Sequence, residues 1–164
     1  MLNCIPKPTD AINLYDVPNI LLQKFPSDTF IATTKLNINL HFDNEEAGLV
    51  IMGLDYCFLK IKQIDGKLYL SQMLCKNADK KELENEAASI PLNSKLIYLQ
   101  VKVSENNTCS FAYSEDGSNF KNFGTSFEAR EGKWIGAKIG FVALRDKFIN
   151  DAGNIKIDWI RFNT

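Results

Sequence analysis

Hydrophobic and polar residues alternate with a period of two along most of this chain. In FIATTKLNINLHF, residues 30–42, Phe30, Leu36, Ile38, Leu40 and Phe42 share one parity, while Thr33, Lys35, Asn37, Asn39 and His41 share the other. That spacing predicts a long strand with one buried face. LIYLQVKV repeats it, with Ile97, Leu99, Val101 and Val103 inward and Tyr98, Gln100 and Lys102 outward. YCFLKIK and KLYLSQML flank the turn IDGK as the arms of a hairpin would. NILLQKF, AGLVIMGL, TCSFAYS, WIGAKIGFVAL and NIKIDWIRF are further strands, separated by turn signals such as SENN, EDGSN and NDAGN. Only NADKKELENEAAS, residues 77–89, has a helical composition, and its charges predict a solvated loop with one helical turn. Many short strands without intervening helices predict an all-β fold of two packed antiparallel sheets, whose curvature can leave one outer face concave.

Composition narrows the function classes. A chain of 164 residues suits one domain with one core, here residues 1–164 as a single sandwich. Its 19 basic and 20 acidic side chains are spread without blocks, which gives no electrostatic footprint for nucleic acid. No apolar run is long enough to span a bilayer, and no basic segment leads into an apolar one at the N-terminus, so neither a membrane anchor nor a secretory leader is expected. Cys4, Cys57, Cys75 and Cys109 are far apart and form no CxxC pair. They are expected to be small buried residues rather than zinc ligands or a redox pair.

Candidate chemistry is sparse. In FAYSEDGSNFKNFG, residues 111–124, Glu115 and Asp116 are best explained as hairpin-turn residues, with Asp before Gly and with Cys109, Phe111 and Tyr113 on one side of the preceding strand. A glycosidase needs two carboxyl groups facing each other across the scissile bond, and no strand supplies acids at alternate positions. Glu45 and Glu46, Glu128 and Glu131, and Asp146 and Asp151 are expected in loops as solvated acids. His41 lies on the polar parity of its strand; it is expected at the surface, where it can bond a ligand hydroxyl. Tyr56, Tyr69, Tyr98 and Trp134 are the candidates for an aromatic sugar platform, by parity or by position at a strand start. Asp158 interrupts an apolar strand beside Trp159; a structural Ca²⁺ would satisfy it, as would an outward orientation or a pair with Lys156.

Taken in order, NILLQKF, FIATTKL, EAGLVIMGLDYCFLKI, FAYSEDGSNFKNFG, EAREGKWIGAKIGFVA and IKIDWIRF resemble the C-terminal concanavalin A-like domain of family 43 glycoside hydrolases, the β-xylosidase and α-arabinofuranosidase type. The resemblance runs from about residue 18 to residue 163. It implies a jelly-roll sandwich that follows a catalytic β-propeller, a partner absent from these residues. It also implies that the N-terminus is trimmed, with residues 1–17 a poorly matched leader. In related jelly rolls the position of Asp158 often binds a structural calcium. Gly117 would serve the hairpin, Gly48, Gly136 and Gly140 bends or close packing, and Trp134 and Trp159 the core. The expected role is a noncatalytic accessory domain of a plant-polysaccharide hydrolase, packing on the propeller and holding a cell-wall oligosaccharide. The alternatives are a free-standing carbohydrate-binding module or lectin and a complete small glycanase.

Overall fold

The computed structural model describes residues 1–18, 20–132, 136–146 and 150–164. Its strands are β1 (Leu2–Asn3), β2 (Ile5–Pro6), β3 (Ile20–Lys24), β4 (Phe30–Asn39), β5 (Glu46–Met52), β6 (Tyr56–Ile64), β7 (Lys67–Cys75), β8 (Asn85–Pro91), β9 (Leu96–Val103), β10 (Thr108–Ser114), β11 (Lys121–Asn122), β12 (Phe127–Glu128), β13 (Lys138–Arg145) and β14 (Asn154–Asn163). The first sheet runs β1-β14-β4-β9-β10-β11, with β12 also on β10. The second runs β2-β13-β5-β6-β7-β8, with β3 also on β13. The β2–β13 contact is parallel and the other pairings are antiparallel. Two layers of antiparallel strands are the all-β sandwich that the alternation predicts.

The core lies between the sheets. Leu36 and Ile38 of β4, Leu49 and Ile51 of β5, Leu59 and Ile61 of β6, and Ile97 and Leu99 of β9 are all fully buried there. Each such side chain contributes about 1.5–3 kcal/mol by leaving water. Opposite parities of the second sheet carry a smaller cluster, Val50, Tyr56, Phe58, Met73, Val142 and Leu144, capped by Leu14. Leu14 belongs to a one-turn 3₁₀ helix, Leu14–Asp16, whose N-cap Asn13 accepts from the Tyr15 N–H. Residues 1–17 therefore enter the fold: β1 pairs with β14, β2 pairs with β13, and Leu14 covers the second sheet.

Turn chemistry fixes the registers. Ile64 faces Lys67 across the IDGK turn, and Asp65 and Gly66 both have positive φ, 50° and 74°. That is the two-residue turn whose twist matches a hairpin. Asp43 accepts from the backbone N–H groups of Asp65 and Gly66 at 2.9 and 3.0 Å. Gly48 allows close strand approach, since a Cβ there would stand 1.9 Å from the Leu59 carbonyl oxygen.

Three expectations change. Residues 85–91 form a strand, β8, at the edge of the second sheet, and only residues 78–80 make a helical turn. Polar composition suits an edge strand as well as a loop, because an exposed edge is blunted by charge and by proline such as Pro91. Glu45 and Glu46 are buried, not solvated, at 1% and 7% exposure. Tyr56 is fully buried and belongs to the cluster under Leu14, so it cannot serve as a sugar platform.

Candidate functional site

The outer face of the first sheet is shaped by a bulge. Ile155 and Ile157 of β14 oppose Ile38 and Leu36 of β4, but Trp159 then opposes Lys35, leaving Asp158 as the extra residue. An added residue resets the period-two alternation. Ile157, Ile160 and Phe162 consequently pack against the core, while Trp159 stays half-buried on the outer face and Arg161 is exposed. Trp159 is thus not the core residue that the family resemblance implies. Thr34 fixes the distortion by donating its hydroxyl to the Trp159 carbonyl at 2.8 Å.

Trp159, Lys35, Tyr98 and Ser114 form one row across β14, β4, β9 and β10. The Tyr98 and Trp159 ring centroids are 6.1 Å apart. Tyr98 is held from the other side by the hairpin turn, where a Cβ on Gly117 would come within 2.7 Å of the ring. The turn itself is rigidly bonded: Asp116 accepts from the backbone of Ser118 and Asn119, both at 2.8 Å, and Ser114 Oγ accepts from the Gly117 N–H at 2.9 Å. These bonds place Glu115 and Asp116 as turn residues. The adjacent row carries Arg161, Thr33, Gln100 and Ala112. The Arg161 guanidinium carbon lies over the Trp159 ring, 4.3 Å from its centroid, and Lys35 Nζ lies 5.9 Å from that of Tyr98. Such cation–ring contacts contribute about 0.5–1 kcal/mol each at exposed sites.

The other site residues read from the sequence are not gathered here. Tyr69 is half-buried on the second sheet, opposite Lys62 and Pro91. His41 lies beyond the end of β4, with Nδ1 2.9 Å from Asp151 Oδ1. Trp134 falls outside the described residues. The Asp158 side chain is only 27% exposed and lies between two ammonium groups, Lys35 Nζ at 3.5 Å and Lys156 Nζ at 3.9 Å. Those cations hold the sides of the carboxylate from which calcium would be coordinated, and no cluster of three His, Cys, Asp or Glu suited to a metal occurs among the described residues. The donor set at Asp158 does not fit calcium. The residues that alternation misses are Trp159 and Arg161. Their signal lies in NIKIDWIRF, whose apolar residues 155, 157, 160 and 162 are spaced two, three, two; the odd step marks a bulge.

Buried acids are committed to structural bonds. Glu45 accepts from the backbone of His41 at 2.6 Å, Phe42 at 3.2 Å and Gly153 at 2.8 Å. Glu46 pairs with Lys60 at 3.4 Å and with Lys7 at 3.7 Å. Burial depresses the Lys7 ammonium, but Glu46 and Asp146 outweigh it and raise the net value. Asp55 is bound by Arg130 Nη1 and by the Asn77 N–H, each at 2.8 Å, in a cleft that it shares with Glu128. Tyr56 donates its hydroxyl to Glu84 and accepts from the Leu14 N–H. The four cysteines are buried and unpaired, and burial pushes the Cys4 and Cys109 thiols up to about 12, the opposite of an activated nucleophile.

Residues 6–163 match the family described as the beta xylosidase C-terminal concanavalin A-like domain. The chain belongs to this family. A β-xylosidase of Formosa agariphila is 42% identical over 57 residues, which are 35% of this chain and 9% of that protein. Among solved structures, the bifunctional GH43-CE protein of Bacteroides eggerthii superposes with a TM-score of 0.84 at 20% identity, over 98% of this chain and 20% of that one. The GH43 protein BlXynB from Bacillus licheniformis gives 0.77 at 15% identity, over 98% of this chain and 32% of that one. At these identities the superpositions establish the concanavalin A-like sandwich. The chain thus spans from a tenth to a third of the length of these relatives.

Proposed function

We propose that this concanavalin A-like domain is a noncatalytic accessory unit of a family 43-type hydrolase of the β-xylosidase or α-arabinofuranosidase kind, acting on plant polysaccharide and seated against a catalytic β-propeller. The observation that carries the reading is the commitment of the buried carboxylates. Glu45, Glu46 and Asp55 are buried and bonded to backbone N–H groups or cations, and the half-buried Glu84 is bonded to a tyrosine, whereas acid catalysis needs a free pair facing a substrate. The share of the relatives' length that the chain covers supports the same reading, since most of each relative lies outside the matched segment.

The test is hydrolysis of aryl β-xyloside and aryl α-arabinofuranoside by two proteins. One is this chain alone; the other is the GH43 protein BlXynB of Bacillus licheniformis with the segment that superposes on this chain replaced by it. The expected result is no turnover by the chain alone and turnover by the chimera. Turnover by the isolated chain overturns the noncatalytic assignment, and a folded but inactive chimera overturns the accessory one.

A second reading, a carbohydrate-binding module, is favoured by one observation, the Tyr98–Trp159 ring pair on an outer sheet face.

A further inference from the structure

On the outward positions of β14, β4, β9 and β10, four cations, Lys35, Lys102, Lys156 and Arg161, face one acid, Asp158. Lys35 and Lys156 are drawn toward that acid. Arg161 differs, because its guanidinium carbon lies over the Trp159 ring and it pairs with no carboxylate among the described residues. A planar guanidinium pre-oriented in this way keeps its N–H fork for a bidentate partner, and carboxylate is the geometry that it matches. Tyr98 and Trp159 are only half-buried, so the parts of the two rings outside the Arg161, Lys35 and Gly117 contacts are left for C–H groups, and Gln100, which donates to Thr33 Oγ1 at 3.0 Å, places hydrogen-bonding groups beside the arginine. The row from Trp159 to Ser114 crosses three strand gaps, about 14 Å, long enough for several sugar rings laid across the strands.

We infer that this face binds an acidic oligosaccharide: a pyranose chain whose rings rest on Tyr98 and Trp159 and whose carboxylate is clamped by Arg161. The ligand class follows from charge complementarity: Lys35 and Lys156 share Asp158, and Arg161 and Lys102 are the cations of this face left without a carboxylate among the described residues. Plant polysaccharide as the source of the ligand rests on the accessory-domain reading; the site itself does not.

The experiment is titration calorimetry with three ligands: xylotetraose, the same tetraose carrying one glucuronic acid, and the methyl ester of that acid. The acidic ligand is expected to bind at least about tenfold more tightly than the other two, and the advantage should shrink as salt rises. Arg161→Met, which keeps an apolar stem over Trp159 without the charge, is expected to abolish the advantage while lowering the melting temperature by no more than about 4 °C. Trp159→Ala should weaken all binding. Equal affinity for acid and ester, silence with all three ligands, or an acid preference that survives Arg161→Met overturns the inference. An active chimera with no glycan binding would sink this inference alone, and glycan binding with an inactive chimera would sink only the accessory role.

Discussion

Asp116 receives hydrogen bonds from the backbone of Asn119 and Ser118 and from the side chains of Asn119 and Ser114, and these donors, the Asn119 backbone first, hold its carboxyl below the usual range. A group whose folded value is depressed stabilises the fold above its ordinary value, near 3.9, and that contribution disappears as pH falls through the folded value. Asp116→Asn should therefore lower the melting temperature most at neutral pH, and the thermal melts of the two proteins should begin to approach each other only as pH falls below about 4. Gly48 makes a steric prediction. A methyl there meets the Leu59 backbone carbonyl, which cannot rotate away. Gly48→Ala is expected to cost at least about 2 kcal/mol in urea unfolding. Gly66 makes the contrast, because a Cβ there would meet nothing within 4 Å and substitution is limited only by the positive φ.

The bulge in β14 is an element-scale device with a testable geometry. Deleting Asp158 restores regular pairing and keeps Ile157, Ile160 and Phe162 inward, so the variant should fold with a loss of no more than about 1–2 kcal/mol. Deleting Lys156 instead turns Ile157 outward, and chemical denaturation should show a distinctly larger loss. The same strand shows how far the sequence can be read. β4 and β9 are legible because each residue obeys one parity from end to end, and the IDGK and EDGSN turns are legible because Asp and Gly have local reasons to be there. β8 is not, because an edge strand buries so little that hydrophobic pattern has almost nothing to record. Trp159, which the resemblance assigns to the core, lies outside it for a third reason: a bulge changes which face every later residue occupies. Parity misplaces Tyr56 because the second sheet is covered on both sides, so its outer parity is apolar too.

At the scale of the molecule, the sheets are assembled from distant segments. β4 pairs with β14, joining residues 30–39 to residues 154–163, and β5 pairs with β13, joining residues 46–52 to residues 138–144. Such nonlocal pairing must close long loops before contacts repay the entropy, so stopped-flow refolding is expected on the millisecond-to-second scale and not in microseconds. Glu45 adds a requirement of its own. Two of its hydrogen-bond donors, His41 and Phe42, are close in sequence, but the third is Gly153. Vectorial synthesis on the ribosome supplies that donor only after more than a hundred further residues. Until β13 and β14 emerge from the exit tunnel, β4 and β5 each keep an open hydrogen-bonding edge and Glu45 stays hydrated. The nascent chain is therefore a natural client for chaperones that shield strand edges, and its commitment to the native state comes with the last strand rather than the first.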